Sequence, residues 1–287
     1  MRTMPGYVIG VAAAILVLAA GSVWGGEAAG KEALIAKGRY VFATAGGCGC
    51  HTPPDGPGLN AGGQKFDGPF GVVYSRNITP DRETGIGRWT DVQVMNAIRR
   101  GERPDGTRLF PIHAYTYFVH IADDETRALV AYLKSVKPVK HAVPARNLKG
   151  PAPAIPVPES PKAAPTAGVA RGEYLVKGPS HCGDCHTPHR PGGGQDLSKF
   201  LAGGPGPEGT TPPNITPHPV TGIGQWTEEQ IVQSIIAGTR PNGTALGSLM
   251  RVVIQGTSGG YKDMRREDAR AIAQYLKTVP PIDNKVP

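Results

Sequence analysis

His181-Cys182-Gly183-Asp184-Cys185-His186 is the stretch that decides how this chain is read. It contains Cys-x-x-Cys-His, the attachment signal for a c-type haem. Two thiols at that spacing can reach the two vinyl groups of one haem, and the adjacent histidine swings its imidazole under the iron. A local Cys182–Cys185 disulfide and half of a zinc site are the competing explanations. Zinc is disfavoured because the chain has only four cysteines. The other two, Cys48 and Cys50, stand in a related but shortened motif.

Working outward from this stretch, the chain reads twice. Asn77-Ile78-Thr79-Pro80 returns as Asn214-Ile215-Thr216-Pro217, and Thr84-Gly85-Ile86-Gly87 as Thr221-Gly222-Ile223-Gly224. Trp89-Thr90, Arg103-Pro104 and Gly106-Thr107 also return, all at one offset of 137 residues. That period is far too long for a solenoid and marks a duplicated domain. The expected division is an export or anchor segment at 1–26, a first domain at 27–137, a linker at 138–168 and a second domain at 169–287. The linker is rich in Pro and Ala and reads as a semi-rigid, extended connector.

Each copy has the same helical plan, so the expected fold class is all-α. A helix precedes each Cys/His motif, near residues 31–44 and 169–177. A second starts after Thr90 or Thr227, both good N-caps, and Thr227-Glu228-Glu229-Gln230 fits a capping box. Gly101 and Gly238 are placed to end these helices. A third, near 123–135 and 266–278, carries apolar residues at helical spacing. Gly38 and Gly172 leave room for another helix to cross the first one closely. The long polar loops make sense if they wrap a cofactor.

On these motifs each half resembles a class I cytochrome c domain. Phe70-Gly71, Tyr74-Ser75, Asn77-Ile78-Thr79-Pro80-Asp81 and Thr84-Gly85-Ile86-Gly87 together resemble the cytochrome c subunits of membrane-bound alcohol and sugar dehydrogenases and their dihaem relatives. The resemblance runs from about residue 31 to residue 281. The better-known dehydrogenase subunits carry three haem domains, whereas this chain has two. The expectation is two tandem domains of three to four helices, each wrapping one haem c.

The resemblance implies a sixth iron ligand from a loop before the last helix, usually Met. His186 is then the proximal ligand of haem two and Met250 its partner, with Met264 a packing residue. The repeat offset carries Met250 onto His113, in Pro111-Ile112-His113-Ala114-Tyr115, where relatives commonly have Pro-x-Met-Pro-Tyr. Met95, the only Met between His51 and the linker, falls inside a helix. Haem one is therefore expected to use His51 and His113, with His120 the alternative ligand. A solvated His113 beside an open iron is the competing reading. His141, His181, His189 and His218 read as surface residues. Thioether sulfur raises the potential relative to a second imidazole, so haem one should be the lower-potential centre.

The first attachment site is Gly46-Gly47-Cys48-Gly49-Cys50-His51-Thr52-Pro53. Tyr40 lies eight residues before Cys48 and Tyr174 eight before Cys182, so Cys48 is the counterpart of Cys182. The counterpart of Asp184 is missing. Cys50 and His51 keep their relation, which preserves one thioether and the proximal ligand. Three readings of Cys48 stay open: it bonds the second vinyl from a strained turn, it remains a free thiol, or the copy has lost its haem. Cys182 and Cys185 supply two thioethers to haem two.

Composition limits the alternatives. The chain has 287 residues, 40 glycines, 29 prolines and a formal charge of +8. This suits small loop-rich domains stiffened by a buried cofactor, and a basic surface that favours acidic docking partners. Nucleic acid is not indicated, because no Lys/Arg cluster is interleaved with aromatics. Arg2 followed by the apolar run from Val8 to Ala20 reads as a cleaved signal peptide or a retained membrane anchor. Either puts the bulk of the chain in the periplasm or on the extracytoplasmic face of the membrane.

The expected function is electron transfer, not catalysis. Single electrons would pass from a redox enzyme, by resemblance a dehydrogenase, to a downstream cytochrome or oxidase. The competing reading is a dihaem enzyme, such as a peroxidase or a thiosulfate-oxidising cytochrome, working at haem one through a displaceable His113. A haem-free structural or zinc-binding module is the third class.

Overall fold

The structure, a computed structural model, describes residues 12–190, 194–206, 209–257 and 259–286; of residues 12–26 and Cys48 only the backbone is described. The first half runs through α1 (Ala12–Thr44), a tight 3-10 turn (Gly46–His51), β1 (Lys65–Gly68), β2 (Gly71–Tyr74), α2 (Asp91–Arg100), α3 (Tyr115–Phe118) and α4 (Asp123–Ser135). An extended segment carrying β3 (Asn147–Leu148) follows. The second half has α5 (Gly168–Lys177), α6 (Cys182–His186), α7 (Glu228–Ala237), α8 (Ser248–Gln255) and α9 (Arg266–Thr278). The all-α expectation holds, with one small addition. β1, β2 and β3 form an antiparallel sheet, with Lys65 opposite Tyr74 and Gly71 opposite Leu148.

Local chemistry sets the helix ends alike in both halves. Thr90 Oγ1 accepts from the Gln93 amide, while the Thr90 amide donates back to Gln93 Oε1. Thr227 and Gln230 repeat this capping box. Gly101 and Gly238 end their helices at φ of 65° and 73°, the left-handed conformation that glycine adopts without a Cβ penalty.

In each half the first and last helices cross at a glycine. A Cβ on Gly38 would lie 1.8 Å from the Ala128 carbonyl oxygen, and one on Gly172 would lie 1.9 Å from that of Ala271. Each crossing is closed by a core of its own. Val41, Phe42, Leu129, Val130 and Leu133 are buried in the first half; Leu175, Val176, Ile272, Ala273 and Leu276 are buried in the second.

The repeated Asn-Ile-Thr-Pro segments are polar knots. Asn77 Oδ1 accepts from the amide and hydroxyl of Thr79, and its Nδ2 donates to Thr84 Oγ1 and to the Val139 carbonyl. Asn214 repeats every one of these contacts with Thr216, Thr221 and Ile282. The chain beyond each last helix therefore returns to its own half. Arg76 also donates to the Pro144 carbonyl, so the start of the Pro-rich segment is strapped along the first half.

The two halves join through a pseudo-twofold interface. Tyr40 of α1 donates to Asp268 of α9 at 2.6 Å and accepts from the Arg265 amide. Tyr174 of α5 donates to Glu125 of α4 at 2.6 Å and accepts from the Ala122 amide. At the centre, Arg171 bonds Glu125 through Nη1 and forks onto both oxygens of Asp268, all at 3.0 Å. Arg171, Glu125 and Asp268 are 4%, 7% and 2% exposed, so none of these charges tolerates losing its partner.

The four histidines expected at the surface are instead half-buried and bonded. Their Nδ1 atoms meet the Ala61 carbonyl (His141), the Pro179 carbonyl (His181) and Thr221 Oγ1 (His218), and Nε2 of His189 meets the Asp184 carbonyl. The knots and the interface enclose segments that sequence alone reads as loose loops. Residues 1–11 of the expected export segment lie outside the described residues. Among the described residues, no helix is long and apolar enough to cross a membrane.

Candidate functional site

Two turns carry the candidate chemistry. In the first half, Gly46 and Gly47 adopt φ of 72° and 66° and swing the chain from α1 into the 3-10 turn that ends at His51. The next loop is pinned by the Gly62 amide on the His51 carbonyl, at 2.8 Å. In the second half, α6 runs from Cys182 to His186, and the Gly203 amide repeats the pin on the His186 carbonyl at 2.7 Å.

Both turn histidines are held the same way. His51 Nδ1 lies 2.6 Å from the Arg76 carbonyl oxygen, and His186 Nδ1 lies 2.8 Å from that of Pro213. A carbonyl only accepts, so each Nδ1 carries the proton and each Nε2 keeps its lone pair. Arg76 and Pro213 sit immediately before Asn77 and Asn214. The polar knots thus fix the carbonyls that fix the imidazoles, the kind of backing that orients a metal-bound histidine. Burial pushes the pKa of both rings down, more than their carbonyl bonds raise it, so both are neutral at pH 7.

His113 lies in the loop between α2 and α3. Its ring is edge-on to Phe118, with centroids 5.6 Å apart, and stacks on Tyr115 at 6.4 Å. Burial, followed by the nearby His51 and His181, pushes its pKa down to about 3. His51 and His181 both lie close enough to His113 to act on its charge. His113 Nδ1 is buried without a hydrogen-bond partner. Such an orphaned atom in a neutral imidazole suits a site completed by a bound group. His120, the alternative, is half-buried nearer Gly178 and Lys177.

In the second half, Met250 is expected in a loop but lies in the first turn of α8, because Ser248–Gln255 forms a helix, and it packs, partly buried, on the apolar core that Cys182 also touches. Met264 is fully in that core, in keeping with a packing role, and Met95 packs on the core of the first half. Burial pushes the Cys182 thiol up to about 12, so it is a protonated thiol rather than a thiolate. Burial also pushes the Asp184 carboxyl upward against the pull of His181 and His189. Cys185 is half-buried and Cys50 exposed; the Cys48 side chain lies outside the described residues. Two thiols beside a backed neutral imidazole form a donor set that fits haem c.

Sequence reasoning missed the two backing carbonyls and the residues that cross the interface. Tyr117 Oη donates to Gln195 Oε1 at 2.6 Å, and Gln195 Nε2 donates to the carbonyls of Gly183 and Asp184. Phe118 lies edge-on to His181 with centroids 5.1 Å apart. The signal available was the aromatic run Tyr115-Thr116-Tyr117-Phe118, whose counterpart in the second half, Val252-Val253-Ile254-Gln255, has no aromatic ring.

No protein-family model matches the chain. It is 34% identical, over 96% of its length, to the cytochrome c subunit of a quinone alcohol dehydrogenase from Gluconobacter oxydans, and covers 61% of that protein. It is 31% identical to the cytochrome c subunit of gluconate 2-dehydrogenase from Pantoea cypripedii, covering 60% of it. The chain thus spans about three-fifths of these dehydrogenase subunits. With a dihaem c-type cytochrome from Cereibacter sphaeroides it shares 34% identity over 278 residues, 89% of each chain. A match at that level along nearly the whole of both chains, joined to two backed histidine turns in a duplicated helical fold, leads to one conclusion: the chain belongs to the dihaem c-type cytochromes.

Proposed function

We propose that the chain holds two haems and relays single electrons from a dehydrogenase partner to a downstream cytochrome or oxidase, outside the cytoplasm. The observation that carries this reading is the duplicated histidine turn, with each Nδ1 committed to a backbone carbonyl and each Nε2 left for a metal. The relatives named as dehydrogenase cytochrome subunits support the donor class. When bound, haem supplies a reversible one-electron centre.

The residues divide the work. Cys182 and Cys185 anchor haem two through two thioethers, with His186 and Met250 on its iron. Cys50 anchors haem one, with His51 and His113 as ligands and Cys48 available for a second thioether. The knots at Asn77 and Asn214 hold the proximal rings against rotation. The difference between Met250 and His113 makes haem one the lower-potential centre and gives the relay a direction.

A pyridine haemochrome spectrum with intact-protein mass, followed by a spectrally resolved redox titration, tests the reading. The expected result is two haems per chain and two separate one-electron steps, with His113→Met raising the lower step toward the upper one. A lower step unmoved by His113→Met would remove His113 from the ligand set. A single haem per chain would end the two-centre relay.

A further inference from the structure

The interface is reciprocal but chemically unequal. The second half lays α8 and the following loop on the first attachment turn: Val253 meets Gly46, Val252 meets Gly49, and a Cβ on Gly47 would lie 1.6 Å from the Gly259 carbonyl oxygen. That contact is aliphatic side chain and backbone. The first half lays Tyr117 and Phe118 on the second attachment turn, and there the contact is aromatic. Ring centroids run from His113 to Phe118 at 5.6 Å and 79°, then from Phe118 to His181 at 5.1 Å and 82°. Both are edge-to-face contacts within the usual range for touching rings. His181 is joined by one peptide bond to Cys182.

We propose that Phe118 and His181 are the electronic bridge between the two haem sites, linking the His113 loop of the first half to the Cys182 turn of the second. This rests on the two-haem reading above. Electronic coupling decays steeply across gaps and less steeply through bonds and touching π-systems. The ring series leaves only short non-bonded steps between the two halves. With haem bound at both sites, one electron would cross, the iron on the His113 side being oxidised as the iron on the Cys182 side is reduced. The electron comes from the redox-enzyme donor, and no proton or bond is exchanged.

The surroundings hold the bridge in register. Tyr117 and Gln195 tie α3 to the backbone of α6 on one flank. His181 stands at φ 34°, an unusual backbone for histidine, and its amide donates to the Gly178 carbonyl at 3.1 Å while Nδ1 meets the Pro179 carbonyl at 2.9 Å. These contacts turn the ring toward Phe118 and across the interface.

The test uses the full-length dihaem protein, flash-reduced by a soluble photoreductant, with the phase that equilibrates the haems followed by transient absorption. Haem content, both equilibrium potentials and the unfolding midpoint are measured on the same samples. Phe118→Leu and His181→Leu are each expected to slow the interhaem phase severalfold while the gap between potentials persists. The double variant should be no slower than the slower single one, because loss of either ring already diverts the electron to routes that bypass both. Phe118→Tyr, which keeps the ring, should retain the wild-type rate. Wild-type rates in both single variants would overturn the bridge and leave the two-haem relay standing. A loss equally deep in Phe118→Tyr would overturn it too, since the effect would follow packing and not the ring. Only one haem in the wild-type protein would overturn both readings.

Discussion

Lys37 and Arg171 occupy the same place in the first helix of each half, one residue before the crossing glycine, yet their surroundings are opposite. Lys37 pairs with Asp124 at the surface, both side chains about two-fifths exposed. Arg171 is buried between Glu125 and Asp268, one carboxylate from each half. Duplication gave both positions a cation on one face of a helix. Docking put one in water and the other at the centre of the interface. A planar guanidinium suits that centre because it can fork onto Asp268 and still reach Glu125. The same asymmetry runs through the attachment turns. One is shortened and covered by aliphatic side chains, while the other is complete and covered by aromatics.

The sharpest way to break the comparison is to remove each cation. Arg171→Met should cost about 3–5 kcal/mol, because it removes the buried cation that Glu125 and Asp268 share. Lys37→Met should cost about 0–1 kcal/mol, as for an exposed pair. Denaturant unfolding of the holoprotein reads both, and similar costs would refute the assignment of Arg171 as the interface centre.

The crossing glycines should instead behave alike. Gly38→Ala and Gly172→Ala both drive a methyl into a carbonyl oxygen and should each cost about 1–3 kcal/mol. A marked difference in unfolding midpoint would show that the two crossings are not equivalent. The capping boxes are a milder version of the same test. Thr90→Ala and Thr227→Ala should each lose about 1 kcal/mol by thermal unfolding.

Acid titration sharpens the interface side. Burial alone would raise the Asp268 pKa, but the bonds from Arg171, Tyr40 and Arg265 carry it below the usual carboxylate value. A depressed folded pKa means the contribution is complete above the unfolded value, about 3.9, and is lost as pH falls through the folded one. Stability should therefore hold at neutral pH and fall below about pH 4. That acid limb should be shallower in Arg171→Met, measured by unfolding across the pH series. An acid limb as steep in the variant as in the wild type would assign it to other carboxylates.

Much of the architecture was legible in residues close together in the chain. The helix starts at Thr90 and Thr227 follow from hydrogen bonds spanning three residues. The duplication follows from literal repeats, and the glycine crossings from a small residue at one helical position. The repeat offset carries Met250 onto His113 and so proposes His113 as the partner of His51. The surface placement of His141 and His181 failed because Ala61 and Phe118 reach them from far along the chain, whereas His189 and His218 are held by groups within five residues, Asp184 and Thr221. The Phe118–His181 contact was unreadable for the same reason.

The sequence by itself determined two Cys/His motifs, one contracted by a residue, and two helical copies in tandem, since these depend on short-range spacing and periodicity. Tertiary structure alone decided that Arg76 and Pro213 supply the carbonyls that orient His51 and His186, that Arg171 and not Lys37 joins the halves, and that aromatic rings from one half reach the attachment turn of the other. Those outcomes depend on distances between residues tens to a hundred positions apart, set by how the helices cross and how two similar surfaces meet.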